Sequence, residues 1–479
     1  MSGPDPHRHY IDGEWTTGES TETFASENPA TGETLGEFYR GTPADVQAAV
    51  DAADEAFAEW RAMSYVDRAE VLWDVYHELR DRTDELGEIV TRECGKEISE
   101  GRADVVEAYH MVEWAAGNAR HPHGDVVPSE IASKDSYMRR KPKGVVGCIT
   151  PWNFPVAIPF WHLAVTLVEG NTVVWKPAEQ TPLCGHTVAE MMTDAGVPPG
   201  VFNVVQGFGD AGNAIVEDDR VATVLFTGSA EVGHKIDEKL GGVPGRDAAL
   251  EMGGKNAIVI TDQADMDTAL HSAVMSSFKT TGQRCVSSER LIVHEEVYDE
   301  FKREFVDLAD EVAVGDPLEE DTDVGPLISE SDAERIIEWI ESAEAQGATV
   351  ELGGERDGPL VEPTIVDGAT QDMEVVCQEA FAPVIAVQTY ETLEAAIGFA
   401  DDSPYGLQAG IFTESHRTGL TAAMNIECGG VMINDIPTFR ADQQPYGGAK
   451  ESGLGREGPK YAIEELTEER VICFRPNQD

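Results

Sequence analysis

The sequence predicts an α/β protein: a doubly wound parallel sheet, followed by a second α/β domain. Three observations carry this. The chain has 479 residues with 41% hydrophobic content, enough for roughly two to three cores at about 150 residues each. Short apolar runs alternate with helix-period segments between residues 144 and 240. The alternation restarts near residue 257 and continues past residue 431.

Taken in order, residues 43–120 read as helical. PADVQAAVDAADEAFAEW opens with Pro43, suited to a helix start, and repeats apolar residues at helical spacing. GVVGCIT (144–150) is a buried strand, 156–168 a helix and NTVVWKP (171–177) a strand. TPLCGHTVAEMMTDAG (181–196) is a helix with a threonine start and a glycine stop. VFNVVQG (201–207) and ATVLFTG (222–228) are strands, each followed by helical pattern. The second half brings AIVI (257–260), a helix at 265–278, RLIVHEE and a helix near 297–313. A helix at 331–346 and the strands VIAVQTY (384–390) and VMIND (431–435) complete it. GVPGRD (242–247) and PYGGAKESGLGREG (445–458) are the clearest loops.

Composition narrows the function classes. Eighty-nine acids against 35 bases leave a net charge of −54, and lysine supplies only 12 of those bases, none before Lys96. Such an excess repels nucleic-acid phosphates. It suits a solvated acidic shell, as in salt-adapted (halophilic) proteins, because at ~1 M salt the Debye length is only about 3 Å. No apolar run reaches the ~18 residues of a membrane span. MSGPDPHRHY lacks the apolar core of a signal peptide, so a cytoplasmic location is expected. The seven cysteines, at 94, 148, 184, 285, 377, 428 and 473, are scattered and form no Cys-x-x-Cys. Free thiols, and no metal site, are expected.

Two turns suit a nucleotide. GFGDAG (207–212) is a G-x-G-x-x-G between a strand and a helix, with Glu231 about 20 residues on. FTGSAEVG (226–233) ends a strand at Gly228 and places Ser229 to cap a helix whose free N–H groups suit an anion. Each is also compatible with an ordinary βα turn. Lys176 and Glu179 follow a strand's carboxyl end, where open α/β sheets bind ligands. A carboxylate there accepts from ribose hydroxyls and repels a 2′-phosphate, favouring NAD over NADP. Cys285, in TTGQRCVSSER (280–290), sits beside Arg284 among small polar residues. Positive charge lowers a thiol pKa and makes a nucleophile. A buried, inert thiol is the competing reading.

Seven motifs, in order, decide between these readings: PWNFP (151–155), KPAEQTP (176–182), FTGS (226–229), LEMGGKN (250–256), GQRC (282–285), EAFAPV (379–384) and PYGGAKESGLGRE (445–457). Together they resemble the aldehyde dehydrogenase superfamily over nearly the whole chain. The resemblance implies a Rossmann-like NAD(P)-binding domain at 1–120 and 143–253 and a catalytic domain at 254–453. It also implies a small β bridging element at 121–142 and 454–479 that carries subunit contacts in a dimer or tetramer.

The same resemblance implies roles. Cys285 attacks the aldehyde, and Asn153 holds the oxyanion together with the Cys285 N–H. Glu251 activates the water that releases the acid, and Glu457 positions water or relays protons. Trp152, Lys176 and Glu179 lie near the adenosine half of the cofactor, with Gly228, Ser229 and Gly233 by the pyrophosphate. Glu379 holds the nicotinamide ribose and Phe381 backs the ring. The cofactor expected is NAD, with NADP possible. Four positions depart from the family pattern: His162 for lysine, Met252 for leucine, Tyr446 for phenylalanine and Ala382 for glycine. Glu251 separates the chain from acylating, coenzyme-A-dependent members, so a free acid is the expected product.

INDIPTFRADQQPYGG (433–448) looks like the lactaldehyde, glycolaldehyde and semialdehyde branches. Arg440 can meet a substrate carboxylate bidentately, with Arg284 a second candidate; each can instead pair with a protein acid. The expected substrate is a carboxylated semialdehyde such as 2,5-dioxopentanoate, followed by succinate semialdehyde and lactaldehyde. Rival readings are an NADP-preferring member, an esterase-like thiol hydrolase, and a non-catalytic binding or structural protein on the same fold.

Overall fold

The computed structural model describes residues 5–121 and 123–475, so the extreme ends of the expected ranges lie outside the described residues. Pro43 begins the helix Pro43–Trp60, and Thr42 and Asp45 close a capping box around its first turn. The helical stretch then divides into Tyr65–Asp81, Thr83–Cys94 and Ile98–Asn118. Gly95, at φ 80°, ends the third of these in a left-handed cap.

The first large sheet has eight strands. Edge to edge they are Glu14–Thr16, His9–Ile11, Phe202–Val204, Thr172–Lys176, Val145–Ile149, Val221–Thr227, Asp247–Glu251 and Gly453–Leu454. The five from Phe202–Val204 to Asp247–Glu251 are parallel. Thr172–Lys176 is buried throughout and Val145–Ile149 nearly so, as a sheet covered on both faces requires. One face packs Trp60, Leu72, Val105, Leu163 and Val188; the other packs Val46, Val50, Ile215 and Ile236. Strand order reverses between Val145–Ile149 and Val221–Thr227. A crevice opens at the carboxyl ends of such a pair.

The second sheet has seven strands, in the order Thr349–Leu352, Thr364–Asp367, Val384–Tyr390, Ser288–His294, Asn256–Ile260, Gln408–Phe412 and Gly430–Ile433. Six run parallel, and the Thr349–Leu352 edge is antiparallel. Only residues 252–255 separate the strand Asp247–Glu251 of the first sheet from the strand Asn256–Ile260 of the second. The carboxyl ends of one sheet therefore meet the amino ends of the other. A third sheet joins Thr467–Phe474, Asp135–Pro142 and Val126–Val127. Its outer surface exposes Val126, Val471 and Phe474.

Three expectations change. Asp247, expected in a loop, begins a strand, because the sheet supplies partners for residues 247–251 that local sequence does not reveal. Leu454 pairs with Leu250, inside the expected loop 445–458. The helix Pro459–Leu466 then packs Ile463 and Leu466 on Val146 and Leu225. Residues 454–466 thus belong with the first sheet, and only the strand Thr467–Phe474 joins the small sheet.

Candidate active site

Cys285 sits on a loop between the helix Met266–Phe278 and the strand Ser288–His294. Three successive residues before it adopt left-handed backbone: Thr280 (φ 58°), Thr281 (φ 56°) and Gly282 (φ 67°). Each such non-glycine residue costs ~1–3 kcal/mol, so the surroundings must hold it. Glu97 Oε1 accepts from Thr280 N at 3.0 Å. Gly325 N donates to Thr281 Oγ1 at 3.2 Å. A Cβ on Gly282 would meet Ala382 O at 2.2 Å, so that position accepts only glycine. Asn256 Nδ2 donates to Cys285 O at 2.8 Å, tying the loop to the second sheet.

Two cavities meet at this thiol. One, of about 300 Å³, contacts Trp152, Asn153, Ser229, Glu379 and Phe381 as well as Cys285. The other, of about 120 Å³, contacts Trp161, Glu251, Arg440, Tyr446 and Glu457 as well as Cys285. Burial, together with the carboxyls of Glu379, Glu457 and Glu251, pushes the thiol up to about 12, and the Tyr446 hydroxyl opposes them. That hydroxyl lies 2.9 Å from Cys285 Sγ.

Asn153 Nδ2 donates to Gln283 O at 2.9 Å. An amide nitrogen carries two donors, so one remains for an oxyanion. Asn153 is held in turn by Lys96, whose Nζ donates to Asn153 O at 2.9 Å and pairs with Asp104 at 2.8 Å. Glu251 is buried with neither carboxyl oxygen hydrogen-bonded. Burial first, and then Glu457, raise its pKa well above the usual range. Its carboxylate is a correspondingly stronger base. Glu457 Oε1 lies 3.4 Å from Thr227 Oγ1 and from His162 Nε2, and its Oε2 lies 3.4 Å from Arg440 Nη1. Burial lowers the His162 pKa, which disfavours a charged ring at a position where the family pattern has lysine.

Arg440 and Arg284, the paired substrate candidates, separate. Arg284 Nε donates to Thr280 Oγ1 at 2.7 Å and its Nη2 pairs with Glu100. Its charge supports the nucleophile loop, and the competing reading of pairing with a protein acid holds for it. Arg440 lies over the Trp161 ring at 3.5 Å and the Tyr446 ring at 4.3 Å. Its Nε and Nη2 are buried without a partner. A guanidinium donates in its own plane, and stacking leaves those edges for an acceptor.

The larger cavity runs into a cleft of about 500 Å³ at the strand-order reversal, lined by Trp152, Lys176, Glu179, Gly228 and Ser229. Lys176 Nζ and Glu179 Oε2 pair at 2.8 Å on its wall. Ser229 begins the helix Ala230–Leu240 and makes no side-chain capping bond. The first-turn N–H groups can therefore meet a phosphate. Gly209 and Gly212 of GFGDAG line the same cleft. One expectation, Glu231 of the G-x-G-x-x-G reading, is corrected. Glu231 points to solvent and pairs with Lys235 at 2.6 Å, because it occupies the outer face of its helix. Gly233 lies behind the cleft wall, where a Cβ would strike Met252 Sδ at 2.2 Å, so it serves helix packing. Glu379 accepts from Gly254 N at 3.0 Å, and burial pushes its carboxyl up to about 8. Phe381, at φ 52°, faces Trp152 edge-on at 5.6 Å. Its N–H and that of Ala380 donate to Glu289 at 2.9 and 2.8 Å.

Several supports escaped the sequence reading. Glu289 forms a buried pair with Lys255 at 2.5 Å, beneath the Phe381 loop. Lys96 carried a signal, being the first lysine of a lysine-poor chain. Lys255 lay within LEMGGKN. Nothing local marked Glu289, Asp104 or Glu97.

This arrangement, a thiol between a nucleotide-shaped cleft and a second cavity, agrees with the family comparison. The aldehyde dehydrogenase family model matches residues 15–472. The chain belongs to the aldehyde dehydrogenase family. As an aldehyde dehydrogenase it is an oxidoreductase acting on aldehydes, with NAD or NADP as cofactor. It is 40% identical over 471 residues to a 3-sulfolactaldehyde dehydrogenase of Priestia aryabhattai, covering 97% of each. It is 35% identical over 478 residues to the α-ketoglutaric semialdehyde dehydrogenase of Bacillus subtilis, covering 98% of each. An NADP-dependent enzyme of E. coli superposes with TM-score 0.95 at 34% identity over 98% of each chain. An NAD-dependent aldehyde dehydrogenase of Sinorhizobium meliloti superposes with TM-score 0.95 at 34% identity over 99% of this chain and 96% of that one. An aldehyde dehydrogenase of Physcomitrella patens, in complex with its reaction product succinate, superposes with TM-score 0.94 at 31% identity over 99% of each. No helix among the described residues is long and apolar enough to cross a membrane.

Proposed function

We propose that this aldehyde dehydrogenase oxidises a small anionic aldehyde to the free acid, with NAD as its preferred cofactor. The single observation that carries the anionic class is Arg440, which lines the smaller cavity with its buried Nε and Nη2 atoms unpartnered. A carboxylate or sulfonate satisfies both edges bidentately. The semialdehyde and sulfolactaldehyde relatives act on aldehydes of that charge. Our specific candidate is 2,5-dioxopentanoate, and the 40% identity to a sulfolactaldehyde dehydrogenase favours a sulfonate as the second reading.

The chain's residues divide the work. Cys285 as thiolate bonds to the aldehyde carbon, and the carbonyl electron pair moves to oxygen. Asn153 Nδ2 and the Cys285 N–H stabilise that oxyanion. The nicotinamide, when bound, supplies the hydride acceptor, leaving a thioester on Cys285. Glu251 then takes a proton from water, the hydroxide adds to the thioester, and the C–S bond breaks to give acid and thiolate. Glu457, with His162 and Thr227, carries the proton outward. Trp152, Lys176, Glu179, Gly228 and Ser229 hold the cofactor's adenosine and pyrophosphate, and Glu379 and Phe381 its nicotinamide half. Glu179 supports NAD over NADP, since a 2′-phosphate would meet a carboxylate.

Residues 5–120, 143–253 and 454–466 then form the cofactor domain and 254–453 the catalytic domain. The exposed Val126, Val471 and Phe474 make the small sheet a self-association surface in a dimer or tetramer. The −54 charge fits a chain that works in concentrated salt inside the cell. The test is a panel of aldehydes matched in length, with and without a terminal anion, run with each nicotinamide in high potassium chloride. Free acid formed without coenzyme A, fastest from the anionic members, is expected. A preference for the neutral members, or a need for coenzyme A, sinks the proposal.

A further inference from the structure

Position 446 departs from the family pattern by one oxygen, and that oxygen lies 2.9 Å from the Cys285 sulfur. We propose that Tyr446 is a catalytic residue whose hydroxyl donates to the Cys285 thiolate and holds it ready for attack. The proposal rests on the reading of Cys285 as the nucleophile.

The hydroxyl is held in place by the fold. Tyr446 N donates to Glu457 O at 3.0 Å and Glu457 N donates to Tyr446 O at 2.7 Å, a reciprocal bridge. Arg440 lies 4.3 Å over the ring centre, and Trp161 flanks the ring at 6.0 Å. The side chain is buried, so its hydroxyl cannot turn to bulk water. Its acceptor choice is the sulfur.

The sulfur needs such a donor. The charged and titratable groups acting on it are the carboxyls of Glu379, Glu457 and Glu251, which all disfavour a thiolate. Of the two arginines nearby, Arg284 pairs with Glu100, and Arg440 meets Glu457 through Nη1; neither forms a hydrogen bond to the sulfur. Among the described residues the Tyr446 hydroxyl alone is within hydrogen-bonding reach of Sγ, and it opposes the carboxyls. Either atom can donate while the thiol is neutral. Once it ionises, only tyrosine can. A hydrogen bond to an ionised acceptor is roughly twice as strong as a neutral one, so the contact favours the thiolate. Tyrosine itself keeps its proton, because burial and the adjacent thiol raise its pKa. No proton crosses this bond.

Tyr446→Phe removes the oxygen and keeps the ring. The experiment follows alkylation of Cys285 by iodoacetamide against pH, read at the Cys285 peptide by mass spectrometry. In that reaction the S–C bond forms as the C–I bond breaks and iodide leaves, so only the thiolate counts. The thiol midpoint is expected to rise by about one pH unit, slowing labelling roughly tenfold on the acid side of the midpoint. The acid limb of kcat/KM shifts the same way, while NAD binding stays unchanged. As a second measurement, protein grown with 3-fluorotyrosine, a more acidic donor, should shift the midpoint downward without loss of the ring contacts. An unchanged or lowered midpoint in Tyr446→Phe, or an upward shift with 3-fluorotyrosine, overturns the role of Tyr446. If Cys285 in the parent labels no faster than the other six cysteines, the nucleophile reading fails first and takes this proposal with it.

Discussion

Replacing Arg440 by methionine tests how this enzyme recognises its substrate. Methionine keeps an unbranched, polarisable chain between Trp161 and Tyr446 and removes the guanidinium. Two in-plane donors, Nε and Nη2, are unpartnered in the smaller cavity. Charge-assisted bonds to them contribute about 1.5–3 kcal/mol each. A bidentate pair is not fully additive, so the loss for an anionic aldehyde is about 3 kcal/mol. At 1.4 kcal/mol per factor of ten, kcat/KM for the anionic substrate falls roughly 150-fold. Arg440 also faces Glu457 at 3.4 Å, so some loss is expected for every aldehyde. The decisive quantity is therefore the ratio of kcat/KM between an anionic aldehyde and a neutral one of equal length, measured by NADH formation. That ratio should drop by about two orders of magnitude. An equal fall for both substrates would show that Arg440 serves the Glu457 network alone and would refute anion recognition.

Further predictions follow from the same site. Glu251→Gln should keep a first-turnover burst of NADH while steady-state turnover falls about 10²–10⁴-fold; loss of the burst would contradict a role confined to acid release. Because burial raises the Glu251 pKa, turnover limited by acid release should rise with pH as its proton leaves, and this limb should vanish in the Gln variant. Lys96→Met strands Asp104 without its buried partner and should lower unfolding stability by about 3–5 kcal/mol, read by denaturant titration; a stability near the parent's would mean the pair relaxes. Lowering salt from ~1 M to ~0.1 M lengthens the Debye length from about 3 Å to about 10 Å, so a chain of charge −54 should lose thermal stability; an unchanged melting temperature would argue against salt adaptation.

Much of the fold was legible because it is written locally. Thr172–Lys176 and Val384–Tyr390 are short runs rich in β-branched and apolar residues, and they became strands within a residue or two of where their pattern placed them. Pro43, Ser229 and Gly196 act within their own turns. The N-terminal strands His9–Ile11 and Glu14–Thr16 span only three residues each, too short for a period-two pattern to register. Their sheet membership depends on Val204, nearly 200 positions away. Asp247–Glu251 was hidden because its pairing with Thr223–Thr227, and not its own pattern, makes it a strand. Within the site, Arg440 and Arg284 were indistinguishable in sequence, since a single chain does not show which acids lie beside each arginine. Glu100, brought alongside Arg284 by the helix Ile98–Asn118, occupies one and leaves the other open.

The order of strands and helices, the acidic character and the motif residues Cys285, Glu251 and Asn153 were determined by the sequence by itself, because backbone propensity and residue chemistry act over a few positions. Tertiary structure alone decided which groups face the sulfur, that Glu231 pairs with Lys235 on the outer face of its helix, and that Tyr446 reaches the thiol across 161 residues. Those outcomes depend on how two sheets close on one another, and a hydrogen bond or an ion pair acts only over the few ångströms that closure sets.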